Sequence, residues 1–176
     1  MEEKYNLVRR KDKKITDKNE IEYILSTATV GRLGTCAHGI PYITPMNFVY
    51  DKETSKVYLH CAHEGKKLDN IRVNPNVCFE VEDVKHIIVK QPTCGSSVAY
   101  KSVIMFGSIR MLTDSATKNA ALRKLADKYA PQNPEVPFTD VMLNRTNVLE
   151  IEIVEITGKR SPAKPVMPVN TDPSKK

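Results

Sequence analysis

No apolar run in the chain approaches the ~20 residues that a bilayer-spanning helix needs, and none occurs before position 21. The opening, Met1-Glu2-Glu3-Lys4, is charged and unlike a secretory leader. Together these absences make a soluble, cytoplasmic protein the expectation. Regular cysteine spacing is also missing. Cys36, Cys61, Cys78 and Cys94 read as free, buried small hydrophobes rather than as a disulfide framework. Cys36-Ala37-His38 and His60-Cys61-Ala62-His63 offer soft ligands, yet neither forms a paired CxxC or an HExxH arrangement, so no metal is expected. There is no internal repeat and no internal domain boundary. The formal charge of +6 permits a nucleic-acid or membrane-surface partner. However, the excess lies near the ends, in Arg9-Arg10-Lys11, Lys13-Lys14, Lys159-Arg160, Lys164 and Lys175-Lys176. No basic stripe interleaved with aromatics occurs between them, so solvated tails are the simpler reading and neither partner is expected.

With 176 residues, the chain suits one domain with a single core and a spare tail. Residues 1–14 read as a basic arm, 15–160 as the folded domain, and 161–176 as a proline-rich tail without periodicity. Asp17 and Glu20 form a capping-box pattern ahead of Ile21, Ile24, Leu25 and Ala28 at helical spacing, which predicts a helix over 17–27. Strands are predicted over 29–35, 42–50, 56–62, 77–81 and 86–90, then over 99–112 with a bend at Gly107, and over 148–156. Turns fall at His38-Gly39 and at 51–55. A helix over 66–73 stops at Asn74-Pro75, and another opens at Asp114, with Ala121, Leu122, Leu125, Ala126 and Tyr129 on its apolar face. Six or seven strands in hairpin-type links, with few short helices, predict a mainly β (α+β) fold. A small antiparallel barrel with helices at its ends fits best.

Lys66 and Lys67 are the sharpest local feature. They fall in the first turn of the predicted 66–73 helix, beside the positive end of its dipole, where each lysine costs about 0.3–1 kcal/mol unless something offsets it. Two solvated surface lysines are one reading. A bound anion is the other, since helical N–H groups and ammonium groups would converge on it, with Gly65 letting the backbone approach. Pro45 poses a similar choice within a predicted strand: a plain edge-strand proline, or a strand that faces a ligand. His60 lies on the strand face opposite Leu59, towards either pocket or solvent.

Four segments occur in familiar order and spacing. They are Pro41-Tyr42-Ile43-Thr44-Pro45-Met46-Asn47-Phe48; Tyr58-Leu59-His60-Cys61-Ala62 with Gly65-Lys66-Lys67; Asn74-Pro75-Asn76-Val77-Cys78-Phe79; and Tyr100-Lys101-Ser102-Val103 with Phe106-Gly107. Together they resemble the pyridoxamine 5′-phosphate oxidase-like flavoproteins, in the branch related to 5-nitroimidazole resistance proteins. The likeness runs from about Arg9 to Arg160. It implies an FMN-binding split β-barrel, a homodimer, and FMN at the interface between subunits. On that resemblance the anion at Lys67, with Lys66 in support and Gly65–Lys66 N–H donors, is the FMN phosphate. Thr44, Pro45, Met46 and Asn47 would run beside the isoalloxazine, and His60, Cys61 and Ala62 would border the same pocket. Tyr100, Ser102 and Val103 would come from the second subunit.

The same likeness implies a flavin-dependent reductase that passes electrons to a small electron-poor acceptor such as a nitroimidazole, re-reduced by NAD(P)H or a reduced carrier. His60, whose ordinary pKa lies near working pH, is the candidate proton donor. The alternative is a flavin- or haem-binding sensor or storage module without turnover. The chain departs from true pyridoxamine-phosphate oxidases in lacking their arginine- and lysine-rich substrate clamp, which argues against vitamin B6 as substrate.

Overall fold

A computed structural model describes residues 8–133 and 138–161. Its elements are β1 (Lys14–Ile15), α1 (Lys18–Thr27), β2 (Gly31–Ala37), β3 (Ile40–Met46), β4 (Phe48–Asp51) and β5 (Lys56–Cys61), followed by α2 (Lys66–Val73) and β6 (Asn76–Ile88). The chain continues through β7 (Ser97–Met111), α3 (Ser115–Tyr129), α4 (Asp140–Asn144) and β8 (Asn147–Ser161). The eight strands form one antiparallel sheet in the order β3-β2-β6-β7-β8-β5-β4, with β1 added to β8.

That order explains the barrel. β3 and β4 stand at opposite ends of the hydrogen-bonded path, yet only Asn47 separates them in the chain. The sheet must therefore curl until its two ends nearly meet, and it stays split along that seam because β3 and β4 do not pair. The inner face holds the main core, with Leu33, Phe48, Leu59, Phe79, Val103 and Leu149 all fully buried. Phe48 and Phe79 meet edge to face across the barrel at 5.2 Å between ring centroids. A second, smaller core lies outside the barrel, where Leu122, Leu125 and Leu143 of α3 and α4 cover Val148 of β8 and Tyr58 of β5.

Several sequence expectations are corrected. The predicted strand over 42–50 breaks at Asn47, because Phe48 turns its N–H away from any strand and donates it to the Tyr129 hydroxyl at 2.8 Å. The segments 77–81 and 86–90 are one continuous strand, β6, with an irregularity between Val84 and His86. β8 runs five residues further than expected, and its far end pairs with β1, which straddles the boundary between the predicted arm and the domain at Lys14–Ile15. Asp17 caps α1 by accepting from the Asn19 N–H at 2.9 Å. Glu20 does not close a capping box; it forms ion pairs with Lys101 and Arg160. The Gly107 bend is present as a register shift in the β7–β8 ladder. An ideal Cβ there would sit 2.2 Å from the Glu152 carbonyl oxygen, so the strands approach too closely for a side chain. Residues 162–176 of the predicted tail and 1–7 of the arm lie outside the described residues.

Candidate functional site

The helix start at Lys66 is built by three local constraints. Gly65 takes φ +134°, a backbone state that favours glycine, and a Cβ there would meet only open space. Leu68 and Ile71 anchor the other side of α2 in the barrel core. Asn70 donates to the Thr35 hydroxyl at 3.0 Å, and Asn74 donates to the Cys36 carbonyl at 3.0 Å, so the helix is held against β2. No side chain caps its N-terminus. Leu68 N–H bonds back to the Gly65 carbonyl at 2.8 Å. Lys66 is exposed and Lys67 half-buried, and among the described residues neither joins an ion pair. The one acid of that turn, Asp69, is engaged by Arg72 at 2.9 Å. Lys67 reaches the end of β5: burial pushes the Cys61 thiol pKa up, while the nearby Lys67 charge opposes that rise.

These features fit an anionic, hydrogen-bonding group. Two cations lack counter-charge, the helix N-terminus is uncapped, and the space over Gly65 is open. Among the described residues, Thr44 Oγ1 and Asn70 Oδ1 are buried without a hydrogen-bond partner. Thr44 stands opposite Leu33 on the core-facing side of β3, while Asn70 reaches Thr35 two residues along β2. The orphaned atoms thus belong to neighbouring elements.

The remaining expected residues divide. β3 is the terminal strand of the sheet, so its outer backbone groups have no strand partner. Pro45 sits in that edge strand, where a missing donor costs little and a ligand can also approach. The Met46 side chain is buried in the core, whereas Asn47 is exposed at the seam. Cys61 packs against the barrel core. The Ala62 carbonyl accepts from Asn147 at 3.2 Å. His60 is exposed and points away from the barrel, on the face of β5 that α3 covers. There it lines a cavity of about 460 Å³ together with Asn47, Leu122, Tyr129, Phe138 and Met142. Tyr100 and Ser102 are half-buried on β7. Val103 is fully buried in the core and paired to Val81 and Gly158 on both sides, so its side chain has no free surface to offer a second chain.

The sequence reading placed Tyr129 on an apolar helix face and gave it no further role. Its hydroxyl accepts from Phe48 N–H at 2.8 Å and lies 2.9 Å from the Phe48 carbonyl and 2.8 Å from the Thr29 carbonyl. The Asn47 side chain also bonds to it. The signal available was a polar handle at the end of an apolar stripe, a place where a tyrosine usually finds a partner.

Comparison with known proteins identifies the family and the fold. A family model described as pyridoxamine 5′-phosphate oxidase matches residues 17–160, and the chain belongs to that family. Among solved structures, it is similar to a protein of Bacteroides thetaiotaomicron described as a candidate 5-nitroimidazole antibiotic resistance protein. That likeness is 27% identical with a TM-score of 0.72, and covers 83% of this chain and 85% of the other. A flavocytochrome of Azotobacter vinelandii is 20% identical, with a TM-score of 0.78 over 89% of this chain and 73% of its own. A FAD and heme binding protein of Mycobacterium smegmatis gives 20% identity and a TM-score of 0.78, over 87% and 75%. The last two carry the fold alone, which is the expected split barrel. No curated protein matches significantly. No helix among the described residues is long and apolar enough to cross a membrane.

Proposed function

We propose that the protein is an FMN-dependent oxidoreductase that works as a homodimer and reduces a small electron-poor acceptor of the nitroimidazole kind. The observation that carries this reading is the Lys66–Lys67 pair, without an ion-pair partner among the described residues, at an uncapped helix start with open space over Gly65. Lys67 Nζ and the first-turn N–H groups hold the cofactor phosphate. The open edge of β3, from Thr44 to Asn47, orients the flavin ring through backbone groups. FMN supplies the transfer of electrons in pairs, which no side chain of the protein can perform. NAD(P)H or a reduced carrier is the electron source. His60 presents an exposed imidazole at the neighbouring cavity and delivers the proton that reduction of the acceptor consumes. A second copy of the chain covers the exposed Ile40, Tyr42 and Ile43 of β3 and brings Tyr100 and Ser102 to the flavin.

Titrating FMN into the protein and recording its visible spectrum tests this directly. Lys67→Ala should weaken FMN by about 1.5–3 kcal/mol, the loss of a charged hydrogen bond, or roughly 10- to 150-fold. Unchanged affinity removes Lys67 from the site. Flavin binding without turnover of a nitro compound above the free-FMN rate would favour a sensor or storage module instead.

A further inference from the structure

We propose that the cavity between α3, α4 and the β3–β4 seam binds the electron acceptor, and that it selects a flat, uncharged, largely apolar molecule. This rests on the flavin reading above for the ligand's role, though not for its chemistry. The cavity measures about 460 Å³, within the range of small-molecule sites and large enough for a one- or two-ring compound. Leu122, Leu125 and Ala126 of α3 form one wall, and the Tyr129 and Phe138 rings form others. Its hydrogen-bonding groups come chiefly from the sheet end, in the Asn47 amide and the His60 imidazole. Both belong to segments that the proposed function sets at the flavin, so under that reading the cavity adjoins the redox centre.

The charge pattern sets the ligand class. Among the described residues, no acid, lysine or arginine lines the cavity. The cations of α3 are occupied elsewhere: Lys124 on Asp51 at 2.7 Å, Lys118 on the Leu143 carbonyl, and Lys128 on the Leu25 carbonyl at 3.2 Å. Arg123 lies over the Phe138 ring, 5.3 Å from its centroid. An anionic ligand entering here would shed water and find no lysine or arginine to replace it. Phosphorylated and carboxylated compounds are therefore disfavoured, while a neutral aromatic ring keeps its polar substituent on His60 and Asn47. The larger groove of about 580 Å³, lined chiefly by residues of β2, β3, β6 and β7, differs in kind. It includes Arg32 and Glu80 and merges with the exposed face of β3 that the second copy covers.

The matched pair 4-nitrobenzamide and 4-nitrobenzoate, neutral and anionic at the same size, tests the assignment by calorimetric titration of FMN-loaded and FMN-free protein. The amide should bind at least tenfold more tightly than the carboxylate. Met142 lines the cavity yet is half-exposed, so it accepts replacement without loss of the fold. Met142→Trp should weaken the amide at least tenfold and leave FMN affinity unchanged, and Met142→Lys should shift the preference towards the carboxylate. Equal affinity for both probes, or indifference to both variants, overturns the proposal. FMN affinity that falls in step with Met142→Trp also overturns it, because the flavin itself would then occupy the cavity. Protein that fails to bind FMN but discriminates between the probes as expected retains the neutral-ligand site and loses only the flavin reading.

Discussion

Tyr129 shows how one side chain can hold the seam. Its hydroxyl lies within 2.9 Å of both backbone groups of Phe48 and within 2.8 Å of the Thr29 carbonyl. Burial pushes its pKa up, against hydrogen bonding with Phe48 and Asn47. Tyr129→Phe keeps the ring and leaves the buried Phe48 N–H without its acceptor. We expect a stability loss of about 1–3 kcal/mol, read from the urea midpoint at unchanged slope. A loss below a few tenths would mean that water replaces the hydroxyl. The neighbouring Lys128 places its Nζ 3.8 Å from the centre of the Phe48 ring, and burial lowers its pKa to about 8. Two consecutive residues of α3 therefore converge on Phe48, the first residue after the seam.

At the scale of elements, α3 is tied to the β4–β5 loop through Asp51. Lys124 and the Thr54 hydroxyl each donate to Asp51 at 2.7 Å, and the Glu53 N–H at 3.2 Å. Burial alone would raise the Asp51 pKa, but these donors outweigh it and hold the carboxyl below its ordinary range. A carboxylate with a depressed folded pKa contributes stability above its unfolded value, about 3.9, and loses it as pH falls through the folded value. Asp51→Asn should therefore cost about 1–3 kcal/mol at neutral pH. Its stability should also decline less steeply than the parent's below about pH 4; urea titrations at pH 7, 4 and 3 check both parts, and parallel curves would exclude the link.

The element scale also shows what the sequence discloses. Asp17, Asp114 and the Asn74-Pro75 stop marked three helix boundaries, because capping and helix breaking are local chemistry. The break at Asn47 was hidden, since Met46 and Phe48 both face the core and two-residue alternation runs straight through it. The outer half of β6 was read as a separate piece for the opposite reason. Around Val84 and Ile87 it is exposed and pairs only with β7, so little burial imposes a pattern. Lys66 and Lys67 were legible as a site because their cost is local, whereas the cavity under α3 joins residues some eighty positions apart.

For the whole molecule, the decisive surface is the open face of the sheet. Ile43 on β3 is 66% exposed and Val154 on β8 is 67% exposed, and both line one groove. That groove also holds Cys36, Cys78 and Phe106. A contiguous apolar surface of this kind is typical of an interface. Under the homodimer proposed above, Ile43→Glu should shift the protein to monomer in light scattering and weaken FMN with it, because Tyr100 and Ser102 of the second copy leave the flavin. A variant that stays dimeric would place the interface elsewhere. One that becomes monomeric with full FMN affinity would confine the cofactor to a single chain.

The single residue between β3 and β4 means that the chain is its own clasp. Neighbouring strands are fastened by ladders of hydrogen bonds, but this closure rests on one covalent step reinforced by the Tyr129 hydroxyl. An extra residue inserted there would leave every ladder intact and still let the cylinder spread. Ligand affinity would then register the slip before any measure of secondary structure did.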